Sequence, residues 1–223
     1  MTETLADKLF RFYDTLRPPK KLPRGVEILY PQADKNVMKL VFEFLNKYYS
    51  DNNARRLILG INPGRFGAGV TGINFTAPRQ LQNNCGIKHS LGNSSELSAE
   101  FIYEMIEAYG GPEKFYGDYF LTSVSPLGFT ANGINLNYYD NKDLIKSLRP
   151  FIIENIHKQI SFGFKTDRCV CIGGEKNFKF LSALNEEYNF FEDIVSVPHP
   201  RFIMQYRRRF KEEYVQEYLR ALQ

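Results

Sequence analysis

Apolar residues along this chain follow two rhythms. Near the start, Leu5, Leu9, Phe12, Tyr13 and Leu16 recur every three or four residues, which predicts an amphipathic helix over 3–16. A second such face, built from Val37, Leu40, Val41, Phe44, Leu45 and Tyr48, predicts a helix over 35–49. Between them, residues 17–24 (Arg-Pro-Pro-Lys-Lys-Leu-Pro-Arg) cannot continue a helix, because proline lacks the N–H that the ladder needs. That stretch reads as a basic linker or extended arm. The other rhythm is the short unbroken apolar run: 56–61, 118–124, 168–172 and 193–197 are strand candidates of the buried kind. Helical patterns at 97–109, 141–159, 175–185 and 206–222 separate or follow them. Strands alternating with helices predict a single domain over 1–223. It is α/β, three layers (α/β/α) around a mainly parallel sheet, with 1–30 as an N-terminal helix and basic Pro-rich arm.

Three of the four strands run into unusual loops: Asn-Pro-Gly-Arg-Phe-Gly, Ser-Pro-Leu-Gly-Phe and Pro-His-Pro-Arg-Phe. Ligands of open α/β sheets sit beyond the carboxyl ends of the strands, so these loops are expected to converge on one crevice. Composition adds bounds. With 43% hydrophobic and 24% charged residues, a packed core is available and a disordered chain is excluded. No run reaches the roughly 18 apolar residues that span a bilayer. The N-terminus carries acidic residues and no apolar signal core, so a cytoplasmic protein with no membrane partner is expected. Cys85, Cys169 and Cys171 are too few for a disulfide framework, and the last two alternate along one apolar strand, as structural thiols would. The net charge of +4 decides nothing alone. Its placement says more: residues 201–211 interleave Phe202, Tyr206 and Phe210 with Arg201, Arg207, Arg208 and Arg209. That suits a surface tracking a nucleic-acid backbone, and equally the solvated face of a helix.

The richest chemistry lies at 60–75. Glycines at 60, 64, 67, 69 and 72 imply tight turns and close approach to a ligand. No Gly-Lys-Ser/Thr follows, so this is not a phosphate-cradling loop, and the spacing does not match the dinucleotide fingerprint Gly-x-Gly-x-x-Gly. The segment reads Gly60-Ile61-Asn62-Pro63-Gly64-Arg65-Phe66-Gly67, then Thr71-Gly72-Ile73-Asn74-Phe75-Thr76. It resembles the first motif of uracil-DNA glycosylases of the single-strand-selective monofunctional type, Gly-Met-Asn-Pro-Gly-Pro-Phe-Gly followed by Thr-Gly-Val-Pro-Phe-Gly. Residues 120–129 (Phe-Leu-Thr-Ser-Val-Ser-Pro-Leu-Gly-Phe) are similar to the family's base-recognition strand and its Cys-Pro-Leu turn. His199-Pro200 resembles the opening of its second motif, His-Pro-Ser-Pro-Arg. Order and approximate spacing agree over roughly 57–210.

The resemblance implies a fold, a reaction and roles. The reaction is hydrolysis of the N-glycosidic bond of a deaminated base in DNA, with no cofactor, no metal and no Schiff-base lysine, carried out by a monomer. Hydrolysis leaves a cation-like sugar and an anionic base. Asn62 matches the water-positioning asparagine; an amide orients water rather than abstracting its proton. The bland alternative for it is a turn residue of Asn-Pro-Gly. His199 matches the donor to the uracil O2, a contact of the kind worth about 2.7–4 kcal/mol of barrier; the alternative is a surface histidine in a Pro-rich turn. Phe75 matches the aromatic that stacks on the flipped base, against the alternative of a core phenylalanine. Gly60, Ile61, Gly64 and Phe66 are expected to shape the base pocket. The segment Arg201, Phe202, Ile203 and Met204 stands where the family inserts into the duplex, although Ser-Pro-Arg is replaced here. Arg207, Arg208 and Arg209 are expected to hold phosphates. Ser123 stands where the family carries the asparagine that reads the uracil edge. Its short hydroxyl, able to rotate between donor and acceptor, predicts looser reading and access for hypoxanthine and xanthine. Two other classes remain to be separated from this one: an inactive DNA-binding or scaffold protein on the same fold, and a small-molecule α/β hydrolase without salt-sensitive affinity for DNA.

Overall fold

The structure, a computed structural model, describes residues 2–223. It opens with α1 (Leu5–Asp14), whose start is set by a reciprocal cap: the Asp7 N–H donates to the Thr4 hydroxyl while the Thr4 N–H donates to the Asp7 carboxylate. β1 (Val26–Leu29) and α2 (Lys35–Tyr49) follow, the latter capped by the Asp34 carboxylate. Then come β2 (Arg56–Gly60), α3 (Ala68–Thr71), α4 (Pro78–Asn83), α5 (Leu97–Tyr109), α6 (Pro112–Asp118) and β3 (Tyr119–Ser123). β4 (Gly128–Ala131) and β5 (Ile134–Leu136) form a hairpin. The chain ends with α7 (Lys142–Ile160), β6 (Lys165–Ile172), α8 (Gly174–Tyr188), β7 (Asp193–Val197), α9 (Pro200–Tyr206) and α10 (Lys211–Ala221).

The four predicted strands form one parallel sheet in the order β3-β2-β6-β7, between helical layers. β2 is central, with Leu57, Ile58 and Leu59 at most 1% exposed. Such burial explains why its sequence is unbroken rather than alternating. Gly60 pairs with Ser123, Leu59 with Cys171 and Ile172 with Val197, so the carboxyl ends of the strands finish side by side. Cys169 and Cys171 are buried free thiols in the core of β6, and Asn177 Nδ2 donates to Cys171 Sγ at 3.3 Å.

The apolar face expected of the N-terminal helix packs inward, with Leu5, Leu9 and Phe12 in the same hydrophobic cluster as the sheet. Two features depart from the sequence expectation. The basic arm leads directly into β1, which pairs antiparallel with β4 to make a second, three-stranded sheet β1-β4-β5. The hairpin that builds it turns on Asn132-Gly133, both at positive φ (49° and 70°), a two-residue turn matched to strand twist. Finally, the helix expected over 206–222 is α10, which begins only at Lys211, and a helix that was not expected precedes it. Pro200 starts that helix, α9, which buries Ile203 and Met204; a short 3-10 turn over Arg208–Phe210 then separates it from α10.

Candidate active site

A cavity of about 370 Å³ opens at the carboxyl ends of the parallel strands. Each strand contributes: Ile61 and Asn62 follow β2, Ser123 ends β3, Gly173 follows β6 and His199 follows β7. Two of the three loops expected to converge do so; the third, 125–129, is buried and does not line the cavity, where β3 is represented by Ser123 alone. Asn74 and Phe75 add a further wall, Asn135, Leu136 and Asn137 of the small sheet another, and Arg201, Phe202 and Tyr206 of α9 stand at its rim.

Asn62 is held at both ends. Its Nδ2 donates to the Leu136 carbonyl at 3.1 Å and the Pro63 carbonyl at 3.3 Å, and its Oδ1 accepts from the Tyr138 N–H at 2.9 Å. A backbone N–H on one side and carbonyls on the other fix which end is oxygen. One Oδ1 lone pair remains to accept from a water, and both amide hydrogens are spent. This is an orienting group, and it also ties the small sheet to the end of β2.

Phe75 adopts a left-handed backbone (φ 53°), a conformation that costs a bulky residue of order 1–3 kcal/mol. Buried hydroxyls hold the turn. Thr71 Oγ1 donates to the Thr76 carbonyl at 2.6 Å, and Thr76 Oγ1 contacts both the Asn74 carbonyl at 3.1 Å and the Tyr103 hydroxyl at 3.0 Å. The ring is presented to the cavity and sits 6.0 Å from the His199 ring. A methyl group on Gly60 would come within 2.6 Å of it.

His199 is the N-cap of α9. Its Nδ1 accepts from the Arg201 N–H at 3.1 Å, so in the neutral ring the proton resides on Nε2. Nε2 has no protein partner among the described residues. Burial, with the Arg201 charge in support, lowers the pKa from 6.5 to about 4, which keeps the ring neutral at ordinary pH. The arrangement offers the cavity one fixed N–H donor at the end of a helix.

Ser123 is 1% exposed and its hydroxyl donates to Asn74 Oδ1 at 2.7 Å. The freely rotating hydroxyl expected at this position is therefore corrected: its proton is committed. Two more expectations need correcting. Gly60 does not line the cavity; it makes room for the Phe75 ring behind it. Phe66 is no pocket wall either, being 56% exposed with the Arg65 guanidinium 4.4 Å over its ring. Ile61 and Gly64 do line the cavity. In the expected inserting segment, Ile203 and Met204 are core residues at 0% and 4% exposure, whereas Arg201 and Phe202 face outward. Arg207, Arg208 and Arg209 lie outside the cavity, exposed and without a carboxylate partner among the described residues. The Arg207 guanidinium lies 5.7 Å over the Phe202 ring, which links the basic run to the rim.

Sequence reasoning missed the Asn135–Asn137 wall, although the Asn-Gly turn beside it was a readable hairpin signal. It assigned no role to Asn74 or to Glu96, the one carboxylate among the residues lining the cavity. Burial raises the Glu96 pKa and the Arg201 charge holds back the rise.

Comparison with known proteins bears on this geometry. A sequence model of the uracil DNA glycosylase superfamily matches residues 47–223. The crystal structure of wild-type SMUG2 from Pedobacter heparinus is similar at a TM-score of 0.95 and 48% identity, covering 99% of this chain and 97% of that one. No curated protein matches the chain.

Proposed function

The chain belongs to the uracil DNA glycosylase superfamily, and from that premise we propose that it excises deaminated bases, uracil first among them, after they leave the helix stack and enter the cavity. DNA glycosylases of this kind hydrolyse an N-glycosyl bond and serve base excision repair. The base cannot react within the stack, so extrusion precedes chemistry and costs least at mismatched positions. Once inside, the base stacks on Phe75, a contact of about 1–3 kcal/mol.

In the reaction the C1′–N bond breaks and its electron pair leaves with the base. A water held by the free Oδ1 lone pair of Asn62 attacks C1′, and its proton passes by way of solvent to the departing base. The products are a free base and an abasic sugar hydroxyl. His199 Nε2–H donates to the base oxygen on which negative charge grows, so it stabilises the transition state more than the ground state. Glu96 contributes negative potential near the cation-like sugar. Arg201, Phe202 and Tyr206 suit the rim that meets the DNA, and Arg207, Arg208 and Arg209 suit its phosphates.

The observation that carries this reading is the His199 tautomer: a neutral imidazole whose proton is locked onto the cavity-side nitrogen by an N-cap bond. The test uses oligonucleotides containing uracil, hypoxanthine or xanthine, followed by alkali cleavage. Free base and an alkali-labile site are expected, with and without EDTA, and no adduct is expected to be trapped by borohydride. Salt-sensitive binding without base release would instead identify a DNA-binding protein that has kept the fold.

A further inference from the structure

At two positions the chain departs from the family pattern quoted above, and the two touch. Position 123 is serine where the family has asparagine. Position 74 is asparagine where the family's Thr-Gly-Val-Pro-Phe run has proline. Ser123 Oγ donates to Asn74 Oδ1 at 2.7 Å, and both residues line the cavity. Each is fixed in place. Ser123 ends β3 in register with Gly60. Asn74 is 6% exposed and belongs to the turn that holds Phe75, its carbonyl accepting from Thr76 Oγ1.

That bond sets the polarity of both partners. Ser123 gives its proton to Asn74, so its Oγ has lone pairs alone to offer a ligand. Asn74 Oδ1 is engaged, which leaves the Nδ2 end with two hydrogens. The Tyr13 phenol of α1, whose pKa burial pushes up, takes one of them in a bond that works against that push, and no carbonyl or carboxylate of the described residues accepts the other. A donor and an acceptor thus stand side by side at the cavity wall. They complement a base edge on which a carbonyl adjoins a ring N–H.

We infer that Asn74, oriented by Ser123, reads the base edge, its Nδ2–H donating to the base carbonyl while Ser123 Oγ accepts from the adjacent ring N–H. The substrate class is then bases with a lactam edge, which includes uracil, hypoxanthine and xanthine. This inference rests on the glycosylase reading and deepens it. Cytosine and adenine present the reverse pattern, an amino donor beside an unprotonated ring nitrogen. Either would set donor against donor and lone pair against lone pair, and groups left unpaired in a dry pocket reject strongly. For these two bases deamination inverts that edge, so the pair separates lesion from parent. The amide that relatives carry on the strand is supplied here from the turn.

The test compares single-turnover release of uracil with that of 2-pyrimidinone, which lacks the 4-oxo group and the ring N–H. Wild type should favour uracil, with the edge contacts contributing about 5- to 150-fold. In Asn74→Ala that contribution should vanish and the uracil-to-pyrimidinone ratio should fall by the same factor. Intrinsic differences between the leaving groups cancel when the two ratios are compared. Asn74→Asp, of the same shape, replaces the donor by an acceptor and should lower the ratio further; it serves if Asn74→Ala does not fold. Ser123→Ala, which frees the amide to turn, should lower the ratio by an intermediate amount. Affinity for undamaged duplex should stay within about twofold throughout, since the phosphate contacts lie elsewhere. A wild-type ratio retained in a folded Asn74 variant overturns the inference and leaves the glycosylase reading standing. Failure of the wild type to release uracil removes the glycosylase reading and the inference with it.

Discussion

Lowering the pH should leave base excision nearly unchanged until well below the usual range for a histidine. The reason is His199, whose burial, aided by the Arg201 charge, lowers its pKa from 6.5 to about 4. That drop corresponds to about 3 kcal/mol in favour of the neutral ring. At pH 5 roughly a tenth of the molecules would carry the imidazolium, and at pH 7 about one in a thousand. Protonation would do more than add a charge. Nδ1 would gain a hydrogen that faces the Arg201 N–H, so the N-cap of α9 would be lost along with the orientation of the ring. Stability follows the same sign. The unfolded chain binds a proton near 6.5 and the folded chain near 4, so this group's contribution is complete above about pH 6.5. It declines by up to about 3 kcal/mol as the pH falls through 4. The assay is single-turnover uracil release from a mismatched duplex between pH 5 and 8, with melting temperature measured in parallel. Release should show no inflection near 6.5; a decline confined to the acid end would belong to Glu96, whose pKa burial raises. His199→Asn separates the two roles of the residue, because asparagine is a good N-cap but places no ring N–H in the cavity. It should melt near wild type and cleave about a hundredfold more slowly. A rate that titrates with a midpoint near 6.5, or near wild-type cleavage by His199→Asn, would refute the assignment.

Asn62→Ala should lower single-turnover release by on the order of a hundredfold or more while DNA affinity stays near wild type, because the attacking water would lose the acceptor that orients it. Near wild-type release by that variant would reduce Asn62 to the tie between β2 and the small sheet. Neutralising Arg207, Arg208 and Arg209 together should weaken DNA binding and reduce the slope of log affinity against log salt by about 0.9 per lost contact on duplex and about 0.7 on single strands. An unchanged slope would make the run a solvated surface.

Which parts of the fold could be read in advance follows from how each element earns its stability. The parallel strands announced themselves because burial on both faces demands unbroken apolar runs, as in Leu57-Ile58-Leu59. β4 and β5 carry no such run. Gly128-Phe129-Thr130-Ala131 and Ile134-Asn135-Leu136 are short and mixed, since they are partly exposed and held mainly by pairing with one another and with β1. Their one local signal was Asn132-Gly133. The start of α1 could be placed only from Thr4 and Asp7, since the apolar rhythm begins after the cap. The break between α9 and α10 was hidden because arginines at 207–209 are good helix formers. The turn there is imposed by where Ile203, Met204 and Val215 must be buried.

The site divides along a related line. Asn62 and His199 were legible because each acts through its own position and the backbone beside it. A proline follows Asn62, and two prolines enclose His199 so that the ring caps the next helix. Phe75 was legible by resemblance, although its left-handed backbone and the threonines that hold it were not. What stayed hidden are roles created by contact between distant segments. Asn62 takes its orientation from Tyr138, 76 residues away, and Gly60 is glycine because a ring 15 positions later lies against it. Ser123 is the clearest case. Taken alone it was a loss: a shorter side chain, a rotating hydroxyl and looser reading. Its contact with Asn74, 49 residues away, turns the loss into an exchange, since the hydroxyl no longer rotates and the amide comes from the adjoining turn. A departure from a family motif is therefore best judged with its spatial neighbours. Here the neighbour departs as well, and the pair retains the donor and acceptor that a lactam edge requires.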